Sequence, residues 1–371
     1  MAVHYHLGAF PPAELDWSQL IPLLGPASAA VARYDGTLAA IPNAAVLLSP
    51  LTTQEAVLSS RIEGTQATMG EVLEFEAEGD SSGLSDERRA DIYEVLNYRS
   101  AMRMAETMLT TLPLSLRVIR EAHKVLLSGV RGQNKSPGEY RRIPNWVGPA
   151  GCTIEQARFV PISADKLPDG MGTWERYIHA DAADRLVQLA LLHAEFESLH
   201  PFLDGNGRLG RMVVPLFMWQ NGLIRSPMFY ISAFLEACRD EYYERLLAVS
   251  RDGDWTGWCR FFLGALKAQA EENQRKAAAI LSLYERMKHK MTDLTHSQYA
   301  IHALDWLFDR PIFKSSDFVA SAGIPGPTAK RILQALREAR VLHVMVEASG
   351  RRAATVGFPA LLNIAEGREV F

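Results

Sequence analysis

His200-Pro201-Phe202-Leu203-Asp204-Gly205-Asn206-Gly207-Arg208-Leu209-Gly210-Arg211 joins two apolar stretches, and the reading of these twelve residues decides the fold. Ahead of them, Leu186, Leu189, Leu192 and Phe196 recur at helical spacing within 183–199; behind them, residues 212–219 continue as an apolar helix. Pro201 disfavours helical backbone at His200, so the first helix should end there. Gly205, Asn206 and Gly207 allow a turn with unusual dihedrals, whose successive N–H groups can converge as an anion nest. A second helix beginning near Arg208 would turn its positive dipole end towards the same concavity.

The side chains in this stretch suit phosphate chemistry. Arg208 and Arg211 lie three apart and can share a helix face, offering guanidinium donors to phosphate oxygens. Asp204, just before the nest, is placed to hold Mg²⁺ against phosphates. His200, at the rim, is a group whose ordinary titration lies near neutrality and is the candidate general base. An anion hole, a metal and a base together describe a phosphate-transfer site.

Working outward, helices are expected over 53–62, closed by Glu63 and an αL cap at Gly64, over 89–110, and over 115–127 after a capping Ser115. Residues 144–161 are rich in Gly, Pro and β-formers and read as an extended loop or small hairpin; 78–86 read as a surface loop. The body is therefore mainly α, a helical bundle with one β excursion. Beyond residue 297 the order changes: a helix over 297–308, a short helix over 314–321, a turn and helix over 323–340, and a hairpin over 341–356 with Arg351 and Arg352 at its tip. Helix, helix-turn-helix and hairpin is the order of a winged helix-turn-helix, whose third helix can enter a DNA major groove.

Composition supports a globular chain. The 371 residues are 48% hydrophobic and 22% charged, enough for two domains or three. The net charge of −4 excludes a basic coat for nucleic acid, but it hides a split. Residues 273–371 carry 14 Lys or Arg against 9 Asp or Glu, while 1–272 carry 25 against 34. Three scattered cysteines make neither a disulfide framework nor a zinc site, so a reducing, cytoplasmic setting is expected. Residues 1–17 lack the basic and apolar regions of a signal peptide, and no apolar run approaches membrane-spanning length.

The twelve-residue string matches the signature H-x-F-x-[DE]-G-N-G-R-x-x-R at each specified position and so resembles the Fic (filamentation induced by cAMP) family. The resemblance implies a Fic-type helical bundle that transfers AMP from ATP to a Ser, Thr or Tyr hydroxyl of a target protein, self-modification included, releasing pyrophosphate. His200 would take the hydroxyl proton. Asp204 would bind Mg²⁺; Gly205, Asn206, Gly207, Arg208 and Arg211 would cradle the phosphates. The stretch 144–161 is similar to the family's flap, so Arg158, Phe159 and Val160 would dock the target by main-chain pairing. Tyr242 and Tyr243 resemble the adenine-side pair of relatives.

Ser59-Ser60-Arg61-Ile62-Glu63-Gly64 is similar to the family's inhibitory helix, [ST]-x-x-x-E-[GN]. The resemblance implies that Glu63, in an inhibitory motif that begins at Ser59 and ends at Gly64, reaches the second signature arginine and obstructs productive binding of the ATP γ-phosphate. The organisation expected is an N-terminal region over 1–105 containing the inhibitory helix, a catalytic core over 106–272, and the winged helix over 273–371. Expected partners are ATP, a protein substrate, a second copy of the chain as a homodimer, and DNA through the winged helix; a membrane is not expected. Two other readings of the same residues are a nucleotide-sensing DNA-binding regulator and a phosphodiesterase that removes AMP.

Overall fold

The computed structural model describes residues 2–78, 84–149, 151–350 and 352–371. Most of the loop expected over 78–86, and Arg351 at the expected hairpin tip, lie outside them. In chain order the elements are β1 (Val3–His4), α1 (Trp17–Ala40), α2 (Ala44–Leu47), α3 (Ser49–Ile62), α4 (Met69–Glu78), α5 (Asp86–Leu109), α6 (Leu116–Leu126), β2 (Phe159–Val160), α7 (Leu167–Ile178), α8 (Arg185–Leu199) and α9 (Asn206–Gln220). They continue with α10 (Ser232–Ala237), α11 (Arg239–Asp252), α12 (Trp255–Thr295), α13 (Ala300–Asp309), β3 (Ile312–Lys314), α14 (Ser315–Ser321), α15 (Gly326–Glu338), β4 (His343–Val346), β5 (Thr355–Gly357) and α16 (Pro359–Glu366). The chain is thus mainly α, and among these helices none is long and apolar enough to cross a membrane.

The expected helices appear as α3, α5, α6 and α8, with ends moved by up to four residues. Ser115 holds the N-cap position of α6 in extended backbone without a side-chain cap; Leu116 N–H instead donates to Glu175 Oε1 at 2.8 Å. Asp184 caps α8, accepting from the N–H groups of Leu186 and Val187. Helix α1 contains Pro22 and Pro26, which read as breakers. The buried face of Leu20, Ala27, Ala30 and Tyr34 overrides that local preference.

The chain divides into two compact units, the first made of residues 1–35, 58–65 and 96–271, the second of 36–57, 66–95 and 272–371. Residues 1–105 supply stretches to both units. The boundary at 271/272 falls inside α12, not in a loop.

In the first unit α8 is the central element. It packs on α7, α9 and α11, and its polar residues Gln188, His193 and Glu195 are as buried as its leucines. Indole N–H groups of Trp174 and Trp258 donate to the α8 carbonyls of Leu192 and Ala190 at 2.8 and 2.7 Å. β1 pairs in parallel with β2, Val3 opposite Phe159 and His4 opposite Val160. Glu195 anchors this N-terminal strand: its Oε1 accepts from Tyr5 Oη at 2.6 Å, and its Oε2 lies 2.8 Å from His6 Nε2. His6 Nδ1 is 2.7 Å from Ser250 Oγ.

In the second unit β3, β5 and β4 form an antiparallel sheet in that order, with Ile312 opposite Gly357 and Val344 opposite Val356. Trp306 meets Phe313 and Phe318 edge-on in the core beneath it. Buried Glu78 ties α4 to this sheet through Thr355 and Arg352. Strand β3 and helix α16 were not expected from the sequence.

Glu195→Ala removes the partner of the part-buried Tyr5 hydroxyl and of His6 Nε2. Each group left unsatisfied costs about 1–3 kcal/mol, so a loss of about 2–4 kcal/mol in urea unfolding is expected. A change below about 0.5 kcal/mol would show that the strand is not anchored there.

Candidate functional site

The turn between α8 and α9 is built by tying its carbonyls. His200 adopts αL backbone (φ 47°), uncommon for a residue with a side chain, and Gly205 is also αL (φ 78°). The Leu199 and His200 carbonyls accept from the Arg141 guanidinium at 3.3 and 2.9 Å, and Pro201 O accepts from Arg141 N–H at 3.0 Å. Phe202 O accepts from Asn145 Nδ2 and Asn206 Nδ2 at 3.0 and 2.8 Å, and Asp204 O lies 3.0 Å from His123 Nε2. His123 Nδ1 accepts from Gly138 N–H at 2.7 Å, which makes Nε2 the donor, and the ring stacks on Phe202. With its carbonyls held away, the turn can present N–H groups and side chains to the cavity beside it.

Helix α9 starts at Asn206, not near Arg208. Asn206 and Gly207 therefore belong to its first turn, and among the three nest residues only Gly205 has positive φ. The Asn206 side chain is also engaged: its Oδ1 accepts from Phe202 N–H at 2.8 Å while its Nδ2 donates to the same residue's carbonyl. Asn206 closes the turn with its side chain, and its backbone N–H lies in the first turn of α9.

A cavity of about 410 Å³ opens beside this turn, bordered by Glu63, His200, Gly207, Arg211 and Tyr243. Arg211 is wholly buried. Its Nε donates to Ser59 Oγ at 2.9 Å, and its Nη2 donates to Ser59 O at 2.8 Å and to Glu63 Oε1 at 2.7 Å. Its Nη1 is buried and has no partner. Gly207 makes this approach possible, because a Cβ there would overlap the Glu63 carboxylate and sit 3.0 Å from Nη1. Gly64, with φ 103°, turns the chain away just after Glu63. Burial raises the Glu63 carboxyl, but Arg211, Arg208 and His200 outweigh it and hold the carboxyl below its ordinary value.

His200 is not a group titrating near neutrality. Burial, with Arg141 adding to it, brings the imidazole down to about 4. Its Nδ1 lies 3.4 Å from the Glu197 carbonyl, leaving Nε2 as the proton acceptor. Asp204 is one-third exposed, 3.4 Å from Arg208 Nη2. Among the described residues no cluster of three metal-binding side chains exists. A single accessible carboxylate nevertheless fits Mg²⁺, which keeps several waters and needs only one or two protein ligands.

Tyr242 is 1% exposed, and its hydroxyl is 2.9 Å from His193 Nε2, so it is chiefly a core residue. Tyr243 is partly exposed at the cavity, with the Arg239 guanidinium 5.7 Å from its ring centroid. Arg158 and Phe159 border the cavity, but the main chain over 158–160 is occupied. Phe159 exchanges both hydrogen bonds with Val147, while the carbonyls of Arg158 and Val160 accept from Val3 and Tyr5 N–H. While β1 is in place, these residues offer side chains and not a free main-chain edge. Sequence reasoning overlooked His123, Arg141 and Glu197. Arg141 ends the stretch Lys135–Arg141, just before the flap, and Glu197 stands three residues before His200 on α8, lining the cavity. Burial pushes the Glu197 carboxyl up to about 8, and its Oε1 has no partner.

Comparison with known proteins agrees with the geometry. The chain matches the Fic/DOC family over residues 113–218 and the Fic/DOC family N-terminal region over 21–107, together just over half of its length. It is 31% identical over 100 residues to a probable protein adenylyltransferase of Aquifex aeolicus (strain VF5), covering 26% of this chain and 31% of that protein. It is 25% identical over 207 residues to the protein adenylyltransferase Fic of Drosophila grimshawi, covering 54% of this chain and 38% of that one. The chain thus spans only about a third of the length of these relatives. A Fic family protein from Desulfovibrio desulfuricans G20 shares the fold, with a TM-score of 0.59 at 19% identity over 94% of this chain and 98% of that one.

Burial also holds His123 and His193 neutral, at about 4 and about 3. Folding therefore keeps protons off three imidazoles that the unfolded chain would protonate below about pH 6.5. Their contribution is intact above that pH and is lost as pH falls towards 4. Urea midpoints should drop between pH 7 and pH 5, and His193→Gln should flatten the drop; equal midpoints would contradict the neutral assignment.

Proposed function

Because the chain belongs to the Fic/DOC family, we propose that this cavity binds ATP and that the protein transfers its AMP to a hydroxyl of a protein target. The observation that carries this reading is the buried, unpartnered Nη1 of Arg211 beside the cavity. A guanidinium with one nitrogen unsatisfied suits an anionic oxygen. In the reaction, the target oxygen attacks the α-phosphorus, the bond to pyrophosphate breaks, and the hydroxyl proton passes to His200 Nε2. The neutral state of His200 leaves that lone pair available. Gly205, Gly207 and Asn206 would offer N–H groups at the α9 terminus to the phosphates, with Arg208 beside them. Asp204 would hold Mg²⁺, which supplies charge neutralisation on the phosphates. Tyr243, more than Tyr242, offers a ring to the base.

Glu63 would act as the brake. It takes one donor of Arg211 and places a carboxylate where a γ-phosphate needs to come, so ATP must displace a charge-assisted hydrogen bond. Ser59 holds the same guanidinium from behind and would keep it aimed. Removal of AMP from a modified protein uses the same groups, with Glu63 orienting water, and would appear as loss of label from a modified target.

A charge-assisted hydrogen bond contributes about 1.5–3 kcal/mol, so Glu63→Gly should raise AMP transfer from labelled ATP about ten- to a hundredfold. His200→Ala in that background should lower it by about 10²–10⁴. Transfer unchanged by Glu63→Gly would remove the brake; transfer unchanged by His200→Ala would remove the assigned base.

A second reading concerns the C-terminal stretch. Helix α13, strand β3, helices α14 and α15 and the β4–β5 hairpin follow one another in the order of a winged helix, and Lys330, Arg337, Arg340 and His343 line an open groove of about 1200 Å³. We propose that this groove contacts nucleic-acid phosphates. Lys330→Ala or Arg337→Ala should each reduce the salt slope of duplex binding by about one. A slope near zero for the unaltered protein would sink this reading.

A further inference from the structure

Arg141 stands three residues before the flap, and its side chain is buried. Its side-chain hydrogen bonds go to main-chain carbonyls. Nε reaches His200 O at 2.9 Å, and Nη2 reaches Leu199 O at 3.3 Å together with Ile162 O. Nη1 lies 3.5 Å from Ile143 O. Leu199 and His200 belong to the turn that carries the base; Ile143 and Ile162 are the two feet of the flap, just outside residues 144 and 161. Burial lowers the guanidinium to about 10, so it stays charged at neutral pH.

A buried charge met only by carbonyl dipoles costs several kcal/mol of desolvation, a poor choice for packing alone. What a guanidinium offers is a rigid planar fork with five donors in fixed directions, which an ammonium cannot copy. Here the fork grips two chain segments at once. One of them contains His200 in αL backbone, a conformation that needs external support.

We infer that Arg141 is a positioning residue that locks the flap to the His200 turn, fixing the spacing between the docked target hydroxyl and the base that receives its proton. This rests on the transferase reading of the cavity. A shift of about 1 Å between reacting groups can cost on the order of a hundredfold in rate, so a shared clamp for both partners has a direct chemical consequence. Nucleotide binding depends instead on Arg211 and the α9 terminus, and should be spared.

The test places Arg141→Lys and Arg141→Gln in the full-length chain carrying Glu63→Gly. Amide hydrogen exchange should rise together over 143–148, 158–162 and 199–204. AMP transfer should fall about tenfold or more, the equivalent of about 1.4 kcal/mol, while affinity for ATP with Mg²⁺ stays within about twofold. Exchange rising in only one segment or in neither, or ATP affinity falling as far as transfer, would overturn the inference. If Arg141→Gln fails to fold, Arg141→Lys carries the same readings. If Glu63→Gly with Arg141 intact transfers no AMP, the transferase reading fails, and hydrogen exchange alone still decides whether the clamp exists.

Discussion

The cavity is organised around the guanidinium of Arg211. It is wholly buried, and of its hydrogen-bonding nitrogens one faces Ser59 Oγ, one is shared by Ser59 O and Glu63, and one has no partner. A buried arginine without a counter-ion is costly, and Glu63 neutralises it without satisfying it. That incomplete satisfaction marks the site. The remaining nitrogen suits an anion, and the Glu63 carboxylate lies on the same guanidinium. Gly207 is needed for the same pair, since any side chain there would overlap Glu63.

Around this centre the chain uses main-chain polarity to shape the turn. Five carbonyls between Leu199 and Asp204 are tied by Arg141, Asn145, Asn206 and His123. A turn with αL backbone at His200 would otherwise relax, because the conformation is unfavourable for a residue with a Cβ. Burial that makes the turn rigid also drains basicity from the histidines. His200 is neutral at pH 7 and able to accept a proton, yet it is a weaker base in this arrangement than in water.

Much of this was legible in the sequence, and for physical reasons. Helical spacing exposed α5, α6 and α8, and the string from His200 to Arg211 located the turn and the arginines that follow it. The Glu63–Arg211 contact, 148 residues apart, followed from resemblance to a family and not from spacing. Less visible were features that depend on who packs against whom. Nothing local in Val3-His4 announces a partner at Phe159-Val160, since parallel pairing leaves no hairpin turn to read. Pro22 and Pro26 lie inside α1 because local propensity yields to tertiary burial. The start of α9 was placed two residues late because Gly205–Gly207 reads as a loop, although only Gly205 leaves helical backbone. The orphaned Glu197 carboxyl and the Arg141 clamp became visible only when the partners of each polar atom could be counted.

The most direct test of the central claim is nucleotide affinity, measured by calorimetry with Mg²⁺ for the unaltered chain and for Glu63→Gly. If Glu63 occupies the donor that a γ-phosphate requires, the substitution should tighten ATP about tenfold or more while leaving ADP nearly unchanged. An equal change for both nucleotides, or none for either, would contradict the account.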